Sequence, residues 1–235
     1  MDKLYIVMPA YNEAANIESV VQQWHEIVVK TGADSRLVVV DDGSKDSTYA
    51  KLLKLKAQYP QLTALTKSNS GHGSTLLFAY EYALDCGADY VFQTDSDGQT
   101  LPEEFWPMWE KRADYAAQIG HRSKRRDGWS RVLVTKVLKI VIYFSFKLWI
   151  TDANTPFRLM SASSLKKHIK KIPKNYNLSN VLLSVLYEKA PEPIRYIPVT
   201  FLPRQGGTNS INIKSITKIG RKAIKDFSSL SKQLK

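Results

Sequence analysis

Asp95 and Asp97 stand two residues apart, directly after the apolar run Tyr90-Val91-Phe92, and Gly98-Gln99 follow at once. In an extended chain residues two apart project to the same side. The two carboxylates can therefore converge on one hard divalent cation, Mg²⁺ or Mn²⁺, with Gln99 as a further oxygen ligand. A cation held by so few protein oxygens usually completes its shell with substrate phosphates. An Asp-x-Asp is also a common solvated turn, so its meaning depends on the rest of the chain.

Three more polar clusters precede it. Pro9-Ala10-Tyr11-Asn12-Glu13 is a rigid turn with an aromatic ring suited to packing on a nucleobase; the plainer alternative makes Asn12 a helix N-cap. Asp41-Asp42-Gly43-Ser44 offers acceptors for a base N–H or ribose hydroxyls, or else closes an Asx turn. Asn69-Ser70-Gly71-His72-Gly73-Ser74 is glycine-rich and opens a helix, so backbone can approach a ligand closely there. No Gly-Lys-Ser/Thr follows, which excludes a Walker loop. His72 either touches a diphosphate or sugar or is merely solvated.

The elements that must position these clusters alternate along the first half. Strand-like runs at Leu4–Met8, Leu37–Val40, Leu62–Thr66 and Tyr90–Thr94 are separated by helical stretches at Asn12–Lys30, Asp46–Gln58 and Ser74–Cys86. That order predicts an α/β fold with a doubly wound, mostly parallel sheet. Leu37-Val38-Val39-Val40 and Tyr90-Val91-Phe92 are apolar on both faces, as central parallel strands are. The polar clusters then fall at the carboxyl ends of strands, where an open sheet binds its ligands. In the second half, Pro102-Glu103-Glu104-Phe105 reads as a helix start and Tyr115–Ile119 as a strand.

Charge and composition narrow the partners. The 235-residue chain carries a net charge of +12, and its bases concentrate after about residue 120, in His121-Arg122-Ser123-Lys124-Arg125-Arg126 and between Lys214 and Lys235. A polyanion is implied: nucleic acid, an anionic membrane surface or phosphorylated substrates. No helix-turn-helix, RNA-recognition or zinc pattern is present, so nucleic acid is not the expected partner. Cys86 is the only cysteine, which excludes an intrachain disulfide and a cysteine-based zinc site. The N-terminus has too short an apolar run for a signal peptide and enters a strand directly, so a cytoplasmic location is expected. No Gly-x-Gly-x-x-Gly follows the first strand, which disfavours a dinucleotide oxidoreductase.

Val132–Ile150 is apolar and aromatic but interrupted by Lys136, Lys139 and Lys147. Three lysines, at roughly 2.5–3.5 kcal/mol each near a bilayer centre, argue against a transmembrane helix. Residues 131–150 are read either as amphipathic helices at a membrane interface or as a buried helix and turn. Residues 211–235, with Ile213, Ile216, Ile219 and Ile224 among lysines, read as a basic amphipathic tail that anchors the protein to an anionic surface, or as a solvated one.

Taken together, Pro-Ala-Tyr-Asn-Glu, Val-Asp-Asp-Gly-Ser, Asn-x-Gly-x-Gly before a helix and Asp-x-Asp-Gly-Gln, in this order, resemble the family-two inverting glycosyltransferases of GT-A fold. Gly120-His121-Arg122 with Arg125 and Arg126, Asp152-Ala153-Asn154-Thr155-Pro156-Phe157-Arg158, and Arg204-Gln205-Gly206-Gly207-Thr208-Asn209-Ser210 point to the branch of dolichol-phosphate mannose synthase and bacterial polyprenyl-phosphate glycosyltransferases. Two departures stand out: Pro156 replaces a glycine frequent before the Phe, and Asn209-Ser210 replaces a Ser-Lys.

The resemblance implies a GT-A domain over residues 1–210 with the tail at 211–235. It implies that Pro9, Ala10, Tyr11, Glu13, Asp42, Asp95, Ser96 and Arg158 bind a nucleotide-diphosphate sugar, and that Asp95, Asp97 and Gln99 hold Mg²⁺ or Mn²⁺. Arg122, Arg126 and Arg204 would meet phosphates, the use to which a guanidinium fork is suited. The acceptor would be a polyprenyl phosphate at the cytosolic membrane face, or a sugar hydroxyl of a glycan. A hydroxyl needs a base, for which Asp152 is the candidate; Asp152 is otherwise an arginine's structural partner or a helix cap.

Overall fold

The computed structural model describes residues 2–122, 129–203 and 227, with the backbone alone for 129–134. Seven strands form one sheet in the order β3-β2-β1-β4-β6-β5-β7. They are β1 Leu4–Ala10, β2 Arg36–Asp41, β3 Leu62–Thr66, β4 Tyr90–Gln93, β5 Ala117–Arg122, β6 Arg158–Ser161 and β7 Ile194–Val199. All neighbours pair in parallel except β6, which runs antiparallel to both β4 and β5. The helices are α1 Ile17–Thr31, α2 Thr48–Gln58, α3 His72–Asp85, α4 Trp106–Glu110, α5 Trp129–Phe146, α6 Ala162–Ile169 and α7 Ser179–Lys189. The expected doubly wound, mostly parallel α/β sheet is what forms.

Side-chain alternation in the central strands sorts the core into two layers. Leu4, Ile6 and Met8 join Leu37, Val39 and Phe92 on one face, covered by Ile17, Val20, Val21, Trp24 and Val28 of α1. Those α1 positions recur at helical spacing, so a single stripe of that helix meets the sheet. Trp24 packs 5.3 Å from Phe92, and Phe92 meets Phe157 edge-on at 4.8 Å. Tyr5, Val7, Val38, Val40 and Val91 point the other way, onto α3 and α7. Complete burial of such side chains, roughly 1.5–3 kcal/mol each, makes the centre of the sheet a rigid platform.

Because β1, β2, β3, β4, β5 and β7 share one direction while β6 is reversed, one edge collects six strand exits and one strand entrance. The exits carry Ala10, Asp41, Thr66, Gln93, Arg122 and Val199, and the entrance carries Arg158. All four motif clusters and the Asp152 loop therefore lie along one rim.

α1 begins at Ile17, later than the expected Asn12. Asn12 takes a left-handed φ of 55° and is no N-cap. Its backbone N–H donates to Ser44 Oγ at 2.9 Å, and its Oδ1 accepts from the Lys45 N–H at 2.8 Å, which stitches the β1 exit to the β2 exit. Pro102–Phe105 forms a single 3₁₀ turn leading into α4. Residues 131–146 are helical within α5, and among the described residues no helix is long and apolar enough to cross a membrane. Phe227, inside the expected surface tail, is fully buried with its ring 5.4 Å from Phe146. The rest of 204–235 lies outside the described residues.

Candidate active site

A cleft of about 410 Å³ opens along the rim over β1, β2 and β4. The β1 exit contributes Pro9, Ala10, Tyr11 and Glu13, the β2 exit contributes Asp42, and the β4 exit contributes Asp95, Ser96 and Asp97. Asn69, Gly71, His72 and Thr75, around the start of α3, close the far wall. Eight of the expected donor-site and metal residues thus share one cavity, because parallel pairing aligns the ends of the strands that carry them. Tyr11 is 42% exposed at this cleft, so one face of its ring is available.

Asp41 and Asp42 have separate tasks. Asp41 faces the turn, where its carboxylate accepts from the Ser44 N–H at 3.2 Å and from Thr66 Oγ1 at 2.8 Å. Asp42 faces the cleft, and its carboxylate accepts from Lys67 Nζ at 2.5 Å and from the Ser70 and Gly71 N–H groups at 2.9 Å each. Burial pushes the Asp42 carboxyl up, but the Lys67 hydrogen bond and the Ser70 amide outweigh it and hold the group below its ordinary pKa. Lys67 had no sequence signal of its own. Only the β2–β3 register, Asp41 beside Thr66, brings it to Asp42.

The glycines at the start of α3 answer to the chain as well as to any ligand. A Cβ on Gly73 would lie 2.3 Å from the Tyr176 carbonyl oxygen and 2.5 Å from that of Asn177. The close backbone approach expected of a ligand is made here by residues 176–177. Gly71, at φ 91°, has the Asn177 side chain where its own would go.

Asp95 Oδ1 lies 3.0 Å from His72 Nε2. Burial opposes a charge on His72, yet Asp95, with Asp97 and Asp42 behind it, raises the imidazole above the usual histidine range. Asp97 Oδ1 accepts from the Gln99 N–H at 3.2 Å, a short turn that directs the carboxylate toward the cleft wall. Among the described residues no three His, Cys, Asp or Glu groups form a complete metal cage. Two carboxylates beside a cleft of this size nonetheless suit Mg²⁺ or Mn²⁺, which take hard oxygen donors and share their shell with diphosphates.

Gln99 departs from expectation. It is buried and absent from the cleft lining; its Nε2 donates to the Leu202 carbonyl at 2.7 Å, and the Leu202 N–H donates back to the Gln99 carbonyl at 2.8 Å. It clasps the chain leaving β7 to the Asp95–Asp97 loop through these two hydrogen bonds.

Arg158 departs too. Fully buried in the sheet, it sends Nη2 to the Ala153 carbonyl and Nε to the Thr155 carbonyl, each at 2.7 Å, instead of facing the nucleotide. The Gln93↔Arg158 pairing places it two residues from Asp95. It therefore shapes the Asp152 loop from beneath. Asp152 itself is paired with Arg122: Nε to Oδ2 and Nη2 to Oδ1, both 2.8 Å, with the Arg122 N–H adding a 3.3 Å contact. Arg122 also lies 5.3 Å over the Phe201 ring. Arg126 and Arg204 lie outside the described residues.

Residues 5–169 match the model of Glycosyl transferase family 2. The chain is 27% identical over 188 residues to the UDP-N-acetylglucosamine–dolichyl-phosphate N-acetylglucosaminyltransferase of Methanococcus voltae, covering 70% of this chain and 72% of that one. It is 24% identical over 230 residues to the polyprenol monophosphomannose synthase of Mycolicibacterium smegmatis, covering 90% and 82%. An undecaprenyl-phosphate 4-deoxy-4-formamido-L-arabinose transferase of Sodalis glossinidius is 28% identical over 146 residues, but the chain spans only 44% of its length. Among solved structures, glucosyl-3-phosphoglycerate synthase of Mycobacterium tuberculosis with Mn²⁺, UDP and phosphoglyceric acid superposes at a TM-score of 0.65 and 15% identity, covering 98% of this chain and 78% of that one. S. aureus TarS with UDP-GlcNAc gives 0.62 at 16% identity, covering 94% and 66%. The family match spans most of the chain and includes every residue lining the cleft, and this protein belongs to glycosyl transferase family 2.

Proposed function

We propose that the protein moves a sugar from a nucleotide diphosphate to a polyprenyl phosphate, with inversion, at the cytosolic face of a membrane. The observation that carries this reading is the state of Asp152. A hydroxyl acceptor requires a carboxylate to take its proton. Both Asp152 oxygens are held by Arg122, so the residue expected to be that base is engaged as an arginine's partner. A phosphate acceptor is already an anion at neutral pH and needs no base. The relatives named for dolichyl-phosphate, polyprenol monophosphomannose and undecaprenyl-phosphate support the same choice.

In this mechanism Tyr11 covers the nucleobase, while Pro9, Ala10, Glu13 and Asp42 line the nucleoside end of the cleft. Asp42, fixed by Lys67 and two amides, stays ionised and holds its position. Asp95 and Asp97 would bind Mg²⁺ or Mn²⁺, which when present neutralises the leaving diphosphate as a Lewis acid. His72 keeps Asp95 oriented across the cleft. Arg122, preset by Asp152, would meet the acceptor phosphate, whose oxygen attacks the anomeric carbon on the side opposite the departing diphosphate. Arg126 and Arg204 are proposed to add charge to that anion site.

The test is a panel of UDP-, GDP- and dTDP-sugars with Mn²⁺, with and without a polyprenyl phosphate, followed by product analysis. The expected result is a sugar–phosphate–polyprenol of inverted anomeric configuration with one donor. Transfer to a glycan hydroxyl with none to the lipid phosphate would overturn the acceptor assignment.

A further inference from the structure

β4 ends at Gln93, and the chain then runs from Thr94 to Thr100 as a loop that carries Asp95 and Asp97. Six steps of extended chain could set the two ends of that loop roughly 20 Å apart. They touch instead: Thr94 Oγ1 lies 2.8 Å from Thr100 Oγ1, and neither residue is more than 4% exposed. Thr94 also continues the sheet, its N–H donating to the Val7 carbonyl at 3.2 Å. Within the loop, Ser96 donates its hydroxyl to the Pro9 carbonyl at 2.8 Å, which ties the segment to β1. Gly98, at a left-handed φ of 70°, turns the chain back toward Thr100. Asp95 and Asp97 stand between these ties and line the cleft.

Stability alone does not call for two hydroxyls in so dry a place. Replacing both partners of a buried hydrogen bond by apolar groups of the same shape is close to neutral, and valine has the shape of threonine. What an apolar pair cannot supply is direction. An oxygen–oxygen separation of 2.8 Å is the commonest for hydroxyls, and a hydrogen bond in low-dielectric surroundings holds its ends more firmly than one in water. Two carboxylates that share one hard cation must keep their spacing, because Mg²⁺ requires near-octahedral oxygens at about 2.0–2.1 Å. A loop whose ends can part lets that spacing drift.

We propose that Thr94 and Thr100 are positioning residues for the donor site: their hydroxyl pair closes the base of the loop and presents Asp95 and Asp97 already spaced for a divalent cation and a nucleoside diphosphate. This deepens the reading of those carboxylates as cation ligands and rests on it. Neither threonine is among the residues lining the cleft, so both act through the carboxylates. Ligand groups preset by a supporting shell need no rearrangement on binding.

Two double variants of the full chain separate positioning from packing. Thr94→Val with Thr100→Val keeps the volume and removes both hydroxyls, whereas Thr94→Ser with Thr100→Ser keeps both hydroxyls and removes two buried methyl groups. The probe is UDP, GDP or dTDP, whichever the native protein binds, titrated calorimetrically with and without Mn²⁺. The valine variant should melt within about one degree of native when free of ligand, bind the nucleotide about fivefold more weakly with Mn²⁺, and bind it as native does without Mn²⁺. The serine variant should show the reverse pattern, melting a few degrees lower while keeping the native affinity in both conditions. Native Mn²⁺-dependent affinity in the valine variant would overturn the assignment. So would a lowered ligand-free Tm accompanied by equal weakening with and without Mn²⁺, which would make the pair a packing contact only. A native protein that binds the nucleotide no better with Mn²⁺ than without would strike the cation reading itself, and the purpose of the clasp with it.

Discussion

The Arg122 guanidinium and the Asp152 carboxylate meet as a two-pronged pair, Nε to Oδ2 and Nη2 to Oδ1, both at 2.8 Å. The pair joins the exit of β5 to the loop entering β6, and its side chains are only 14% and 5% exposed. Planar, parallel hydrogen bonds fix the arginine's orientation as well as its position. In the proposed mechanism an arginine preset in this way receives the acceptor anion, and its carboxylate serves by holding it.

Asp152→Asn separates that role from general-base catalysis. The amide keeps the shape but loses the charge and one acceptor, so the Arg122 fork loosens. The KM for a prenyl phosphate should rise about tenfold, equivalent to about 1.4 kcal/mol, with kcat within a few-fold of native. Loss of a general base would instead lower kcat by about 10²–10⁴. Steady-state kinetics with varied acceptor decides between them.

Asp97→Ala tests the metal site apart from turnover. A ligand at 100 times its Kd stabilises the fold by about 2.7 kcal/mol. For a chain of this size each kcal/mol is worth roughly 2–4 °C in Tm. Mn²⁺ with a nucleoside diphosphate should raise the native Tm by several degrees and leave that of the variant nearly unmoved. An equal shift in both proteins would remove Asp97 from the site.

Asp42 gives a dependence of stability on pH. Its pKa in the folded chain is depressed below 3.8, so the unfolded chain binds the proton more tightly. Its contribution is complete above about pH 3.8 and is lost as pH falls through the folded value. Asp42→Asn should therefore be destabilising at pH 7, where Lys67 loses its carboxylate partner and keeps only Ser68 and Ser70 oxygens, by about 1–3 kcal/mol. The gap between the two proteins should narrow below pH 3.8. Urea melts between pH 2 and 7 measure the difference; a constant gap over that range would contradict the assignment.

Gly73→Ala places a methyl group against the backbone of residues 176–177. Backbone cannot swing aside as a long side chain can, so overpacking should cost about 1–3 kcal/mol. Thermal unfolding of the ligand-free protein reads this directly, and an unchanged Tm would mean that the 176–177 segment yields easily.

Much of this site is legible before folding because its rules are local. Continuous apolar runs mark Leu37–Val40 and Tyr90–Phe92 as central strands, and the Asp-x-Asp just after the second run falls at its carboxyl end, where both carboxylates line the cleft. Parallel crossovers then bring Tyr11, Asp42 and Asp95 to one rim without further information. The sequence by itself determined the sheet, the rim and the residues that line the cleft.

Tertiary structure decided the partners. Lys67 reaches Asp42 across 25 residues, Gln99 meets Leu202 across 103, and Arg122 meets Asp152 across 30. The reversed strand β6 turns Arg158 from an expected nucleotide-sugar contact into a buried support for two carbonyls. A charged side chain takes the partner that best offsets its desolvation. Which partner is within reach depends on strand order and register, and these form only when the whole sheet does.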